Sequence, residues 1–209
     1  LISYFKEQET SAGFIPDDRV LMVEEYIDPS GNQRVIFHYP FGRRVNDALS
    51  RGYAYRITNL IGANVSVTIS DDNFMIGMPR RFDISKIPDL LTSKDLEMIL
   101  RKALRNSEIF KLRFRHTAAR SFMILRNYMG RPVSVNRQQT RAAYLLETLA
   151  EMDSMPVIEE TYREILEDDM DLHNACYVLG LIESGAMQVR VQEYTGTPSP
   201  FAHSVILSG

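Results

Sequence analysis

The chain has 209 residues, 44% of them hydrophobic, with 24 Lys or Arg against 27 Asp or Glu and a formal net charge of −3. It is long enough for one large domain or two small ones with a real core. A net negative charge excludes a chain that is basic throughout, so any site for a polyanion must come from charge segregation. No apolar run approaches the ~18 residues of a membrane span. The start, LISYFKEQET, has no basic n-region or cleavage pattern. It also lacks an initiator Met, which reads as a piece cut from a longer protein or a processed chain. The single cysteine, Cys176, permits no internal disulfide and points to a cytoplasmic setting. Within LHNACYVLGLI it reads as a small core residue.

Residues 1–15 are mixed in pattern and are expected to be a poorly tied end. RVLMVEEYID, from Arg19 to Asp28, reads as a strand. Pro29, Ser30, Gly31 and Asn32 form a turn, and RVIFHYPF returns as a second strand, making a hairpin. A helix follows Gly42, with Val45, Ala48, Leu49, Gly52, Tyr53, Ile57 and Leu60 at helical spacing and Gly62 just past its end. Arg43 and Arg44 fall in its first turn, where the helix dipole favours anions rather than cations. Two arginines there suit a docked phosphate; alternatively they pair with Glu24, Glu25 or Asp47. NVSVTIS and FMIGMP read as two further strands around the Asp71-Asp72-Asn73 turn. Residues 79–89 form a proline-bearing connector.

From Leu90 the pattern is helical. Thr92 and Asp95 open one helix in the manner of a capping box. A second is expected from about Ser107 to Met129, with Phe110, Phe114, Ala118, Phe122, Leu125 and Met129 on its buried face and Arg113, His116, Arg120 and Asn127 opposite. Leu112, Met123 and Ile124 interrupt that polar side. A third is expected from about Arg137 to Glu151, with Ala142, Leu145, Leu146 and Leu149 inward and Arg137, Arg141, Tyr144 and Thr148 outward. Pro156 opens VIEETYREILEDD. Asp171 caps a further helix closed by Gly185, MQVRVQEY is a last strand, and the tail with PSPFA is extended. The fold class is therefore α+β: a β-β-α-β-β module over residues 1–89, then a helical, bundle-like module over 90–209 with a final strand.

Charge is distributed unevenly along this chain. From Arg101 to Arg141 there are eleven basic residues and one acid, Glu108. The segment that follows holds Glu159, Glu160, Glu164, Glu167, Asp168, Asp169 and Asp171. The basic block either contacts phosphates, giving affinity with steep salt dependence, or is neutralised within the molecule by the acidic run. Composition leaves both readings open. Tyr128 and Tyr144 lie within the block as candidates to stack on a base or to pack.

Other chemistry is missing from the pattern. There is no G-x-x-x-x-G-K-[ST] loop and no G-x-G-x-x-G turn for a nucleotide. There is no G-x-S-x-G elbow, and no Cys/His set with zinc spacing. No catalytic residue and no metal ligand is expected. The acidic run offers carboxylates for a metal-dependent nuclease, but its spacing supplies no partner carboxylate from another element.

Four stretches, FGRRVNDALSRGYAYR, FRHTAARSFMILRNYMGR, PVIEETYREILEDDMD and PSPFA, occur in that order between Pro16 and Ala202. Together they resemble the DEAD/H-associated region of the large helicase-related (Lhr) proteins, superfamily 2 ATP-dependent helicases. The resemblance implies a parent protein that couples ATP hydrolysis to 3′-to-5′ movement on single-stranded DNA and unwinds DNA–DNA or RNA–DNA duplexes. Its RecA-like motor domains and a winged-helix domain would lie upstream. ATP and Mg would bind in those motor domains, and no cofactor in this chain. Family members often stack a base on a Trp in this region, and this chain has no Trp.

The expected role is thus an accessory region that guides single-stranded DNA, or an RNA–DNA hybrid, through backbone contacts and has no part in a membrane. Arg43 and Arg44 would form one contact, and Arg113, His116, Arg120, Arg137 and Arg141 another. The alternative is a module that braces the motor, its arginines paired internally.

Overall fold

Residues 2–149, 155–194 and 196–208 are described in the computed structural model of the chain. Residues Ile2–Ala12 form helix α1 where a loose end was expected. Strands β1 (Val20–Ile27) and β2 (Gln33–His38) then pair antiparallel. The Asp28 carboxylate shapes their turn, accepting from the N–H groups of Ser30 and Asn32 at 2.9 Å each and holding Arg34 at 3.1 Å. Helix α2 (Arg43–Ile61) follows, closed by Gly62 in the left-handed region, whose N–H bonds Thr58 O at 2.9 Å. Strands β3 (Ser66–Ile69) and β4 (Phe74–Met78) complete the expected β-β-α-β-β order.

Helix α3 (Leu96–Leu104) begins after the Thr92 hydroxyl accepts from Asp95 N–H at 3.3 Å. Then come α4 (Glu108–Arg120), the short strands β5 (Asn127–Tyr128) and β6 (Arg131–Pro132), and α5 (Val135–Leu149). The expected end of α5 at Glu151 lies outside the described residues. Next is α6 (Pro156–Arg163), continued by a π-helical turn over Glu164–Asp169. Helix α7 (Leu172–Glu183) is capped by Asp171, which accepts from Asn174 N–H at 3.1 Å. Strand β7 (Gln188–Gln192), a 3-10 turn at Pro200–Ala202 and helix α8 (His203–Ser208) end the chain. The mixed α+β class is as expected, but the tail after β7 coils rather than running extended. No helix among the described residues is long and apolar enough to cross a membrane.

Two compact units emerge, Leu1–Leu100 with Asp171–Gly209, and Arg101–Met170. They differ from a split after residue 89 for a physical reason. β7 hydrogen-bonds in parallel beside β1, giving the sheet order β3-β4-β2-β1-β7 and drawing the last part of the chain into the first unit.

In that first unit both faces of the sheet are covered, so buried positions run consecutively, Leu21 to Glu24 on β1 and Val35 to His38 on β2, rather than alternating. One face carries Phe37 and Phe74, stacked with ring centres 4.3 Å apart, under Tyr53 of α2 at 4.8 Å from Phe37. Fully burying each such side chain stabilises by about 1.5–3 kcal/mol. Gly52 lets α2 approach Leu91 and Leu96, because a Cβ there would lie 2.8 Å and 2.9 Å from their methyl groups. The other face carries Ile36 and Met75, covered by Ala202 and Val205 of the tail. Phe201 stacks on Tyr4 of α1 at 5.1 Å, its N–H bonds the buried Gln8 at 3.0 Å, and its carbonyl accepts from Asn73 at 3.2 Å. The PSPFA run is therefore the clamp that fixes α1.

Beneath that clamp lies Glu24, 2% exposed on β1. It accepts from Ser199 N–H and Ser199 Oγ at 2.6 Å each, and meets His38 Nε2 at 2.9 Å. Burial pushes its carboxyl up, but the bonds from His38 and Ser199 outweigh burial and hold it below the ordinary value.

In the second unit α4 packs against both α5 and α6, with Phe110 and Tyr162 rings 4.6 Å apart. Helix α4 ends nine residues before the expected Met129, at Arg120. Phe122 takes a φ of 58° there, and Met123 N–H reaches back to Ala118 O at 2.9 Å. This is a Schellman closure with Phe in the place usually held by glycine. Phe122, Leu125 and Met129, expected in the core by helical phasing, are consequently exposed, while Ile124, expected on the polar side, is 3% exposed.

A carboxyl held low by folding stabilises the fold above its unfolded pKa and loses that contribution as pH falls through the folded value. Urea unfolding of the chain is therefore expected to weaken on acidification below about pH 4.3, the ordinary glutamate value. Glu24→Gln should lower stability at pH 7 and flatten that acid limb. An unchanged limb in the variant would remove Glu24 from this role.

Candidate nucleic-acid interface

Helical phasing places Arg113, His116 and Arg120 along α4, and in the structure carboxylates engage the two arginines while His116 stays exposed. The Asp169 carboxylate binds Arg113, and the Glu164 carboxylate binds Arg120, with Arg113 also 3.7 Å from Glu164. Thr117 Oγ1 donates to Glu164 at 3.4 Å. Glu164 is buried, and the π-helical turn that starts at it explains how it and Asp169 serve one partner. Residues five apart diverge around an α-helix, whereas the wider turn aligns them. Glu159 meets Arg101 at 2.9 Å. Arg163 takes up Glu160 at 2.8 Å, Glu167 at 3.4 Å and Asp168 at 3.5 Å. Much of the acidic run is thus matched with arginines of its own unit.

His116 is exposed beside these groups. Partial desolvation, then the charges of Arg115, Arg126, Arg113 and Arg120, hold its imidazole below the usual range. That shift favours the neutral ring, which offers a hydrogen bond rather than a charge.

Helix α5 differs. Arg137, Arg141, Tyr144 and Thr148 are exposed along one side of it, as the period predicts. Arg137 and Arg141 form no ion pair with any described residue, and Tyr144 is 73% exposed rather than packed. Arg126 and Arg131, near the β5–β6 turn, are likewise exposed and without an ion pair among the described residues. These two belong to the basic block but had no helical stripe to single them out. Between α4 and α5 a groove of about 510 Å³ is lined by Leu112, Phe114, Ala142 and Leu146, with Lys111 and Arg115 among its walls.

Arg43 and Arg44 stand in the first unit, exposed at the start of α2, which has no side-chain cap. The Arg43 guanidinium donates to Ile69 O at 3.2 Å. Arg44 lies near Asp171, whose carboxyl burial raises but Asn174 hydrogen bonds and the Arg44 charge hold low. The partners foreseen for them are engaged elsewhere: Asp47 with Arg51 at 2.6 Å, Glu25 with Arg81 at 3.3 Å, and Glu24 with His38. Cys176 is half-buried, its thiol directed to Ser93 O at 3.5 Å and pushed up chiefly by burial.

Residues 15–202 match the family described as DEAD/H associated. The chain belongs to that family. Among relatives of this DEAD/H associated chain, the ATP-dependent helicase Lhr-Core protein 2 of Thermococcus barophilus is 42% identical over 100% of the chain and 24% of the relative. The ATP-dependent helicase Lhr-Core of Sulfolobus acidocaldarius is 38% identical over 99% of the chain and again 24% of the relative. The chain therefore spans about a quarter of the length of these relatives. The solved structure of Mycobacterium smegmatis helicase Lhr bound to ssDNA and AMP-PNP superposes with a TM-score of 0.82 at 30% identity, over 99% of this chain and 26% of that one.

The Glu164 cluster makes a measurable demand. Replacing both Arg113 and Arg120 by Met strands a buried carboxylate and is expected to cost about 3 kcal/mol of unfolding free energy, the low end for a buried charge that loses its partners. Adding Glu164→Leu should recover most of it. Urea denaturation measures both steps, and a double variant as stable as the parent would show that these pairs do not hold the unit together.

Proposed function

We propose that this chain is the accessory nucleic-acid-binding region of an Lhr-like ATP-dependent helicase and guides single-stranded nucleic acid by backbone contacts. The observation that carries the reading is the outer side of α5, where Arg137 and Arg141 are exposed with no carboxylate partner among the described residues, beside exposed Tyr144 and Thr148. Cations, a hydroxyl and an aromatic face are the groups that track a phosphate backbone. Similarity to a helicase solved with ssDNA supports the same reading. In this proposal RecA-like and winged-helix domains of the same protein are the neighbours. ATP and Mg act in that motor, and the strand is single-stranded DNA or one strand of an RNA–DNA hybrid. Arg43 and Arg44 at the start of α2 supply a separate contact, and His116 a neutral donor.

A second reading draws on the pairing of Arg113 and Arg120 with Glu164 and Asp169. Those arginines brace the domain, and a phosphate reaches them only by displacing the carboxylates.

Fluorescence anisotropy with a labelled single-stranded oligonucleotide separates the two. Arg137→Ala with Arg141→Ala is expected to weaken binding and to flatten the slope of log affinity against log salt by about 1.4, at 0.7 per phosphate contact on a single strand. An unchanged slope would falsify the α5 contact. Arg113→Ala with Arg120→Ala weakens binding if phosphate competes for them; unchanged affinity assigns them to bracing alone.

A further inference from the structure

The segment that follows α4 holds bulky side chains in places where neither conformation nor burial favours them. Phe122 closes α4 at a φ of 58°, and Met129 opens the β5–β6 turn at 48°; among the described residues they are the only non-glycine residues with positive φ. Met129 and Gly130, at 48° and 75°, form the two-residue connection between paired strands, a turn that favours Asn-Gly. A side chain at such a position is strained, and glycine is the ordinary solution. Burial does not offset that strain, because Phe122 is 86% exposed and Met129 84% exposed. Tyr128, 60% exposed, sits opposite Arg131 across the hairpin.

The segment is anchored rather than loose. Ile124 inserts into the core, Met123 and Ile124 both bond Ala118 O, and Val133 N–H bonds Arg126 O at 2.8 Å. What it presents is aromatic and apolar surface between two arginines, Arg126 and Arg131, that lack ion pairs among the described residues. No acidic residue occurs in the sequence from Ile109 to Leu146. Flat apolar faces interleaved with unopposed cations match unstacked bases on a phosphate backbone. A protein partner would have to bring its own acidic groups to such a surface.

We infer that residues 122–131 form a base-stacking site for single-stranded nucleic acid, in which Phe122 and Tyr128 contact bases while Arg126 and Arg131 hold the flanking phosphates. This rests on the reading that the chain binds a single strand and adds recognition of bases to it.

Anisotropy titrations of the whole chain with two labelled strands of equal length, one normal and one with abasic sites throughout, test the inference. The chain should bind the normal strand about a hundredfold more tightly, the size of two lost stacks at about tenfold each. Phe122→Gly, which suits the left-handed backbone and so should preserve or raise the melting temperature, should lower that preference about tenfold, as should Tyr128→Ala. Both variants should bind the abasic strand like the parent, with the same salt slope. Equal binding of the two strands by the parent, or a preference untouched in both variants, overturns the inference, leaves the phosphate-tracking reading standing, and makes the patch a protein surface. Failure to bind either strand at low salt overturns both.

Discussion

A buried carboxylate must be satisfied from nearly every direction, and each unit of this protein is closed around one. In the first unit Glu24 gathers Ser199 and His38, so that the C-terminal tail lies across the sheet and completes its second covered face. In the second, Glu164 gathers Arg113, Arg120 and Thr117, and α4 is fixed to the helix that carries Glu164. Apolar contacts supply most of the stabilisation in both. The carboxylates instead restrict the arrangements in which those contacts form, since a misplaced partner leaves a charge buried and alone. The tail illustrates the difference. Ala202 and Val205 would cover an apolar face in several registers, but only one places Ser199 Oγ and N–H on Glu24.

The same logic divides the basic block. An exposed ion pair contributes little, about 0–1 kcal/mol, and yields readily to a competing phosphate. A pair with one partner buried does not, because displacement strands that partner. Arg113 and Arg120 fall in the second class and Arg137 and Arg141 in neither, having no ion pair among the described residues. Residues that looked equivalent as charges are therefore separated by burial of the group opposite them.

Local order could be read from the sequence where one residue type dictates one conformation. Pro29, Ser30, Gly31 and Asn32 announced the β1–β2 turn, Gly62 the end of α2, and Asp171 the start of α7. The outer side of α5 was also readable, because Arg137, Arg141, Tyr144 and Thr148 keep the helical period. The reading failed where period and exposure part company. Phe122, Leu125 and Met129 continue the spacing of Phe114 and Ala118, so they imitate a buried stripe, yet α4 has already closed at Ser121. Phe at a left-handed closure gives none of the warning that a glycine gives. Partners distant in the chain were equally hidden. The acidic run follows the basic block in plain view, but which carboxylate meets which guanidinium depends on a π-helical turn that local spacing does not specify.

The parallel pairing of β1 with β7 bears on how the molecule is made. The first unit is discontinuous, and Glu24 and Ser199, which close it, stand 175 residues apart in the chain. Contacts at such separation form late and slowly, because long loops must close before any reward is gained. Residues Arg101–Met170 form a contiguous unit inside that loop. During synthesis they emerge in full before β7 exists, so the inserted unit can fold while the sheet still shows an open edge at β1. Until β7 arrives, that edge is open to pairing with another chain, a hazard of incomplete sheets. Residues Asp171–Gly209 therefore carry the closing strand of a sheet whose other strands all precede the inserted unit.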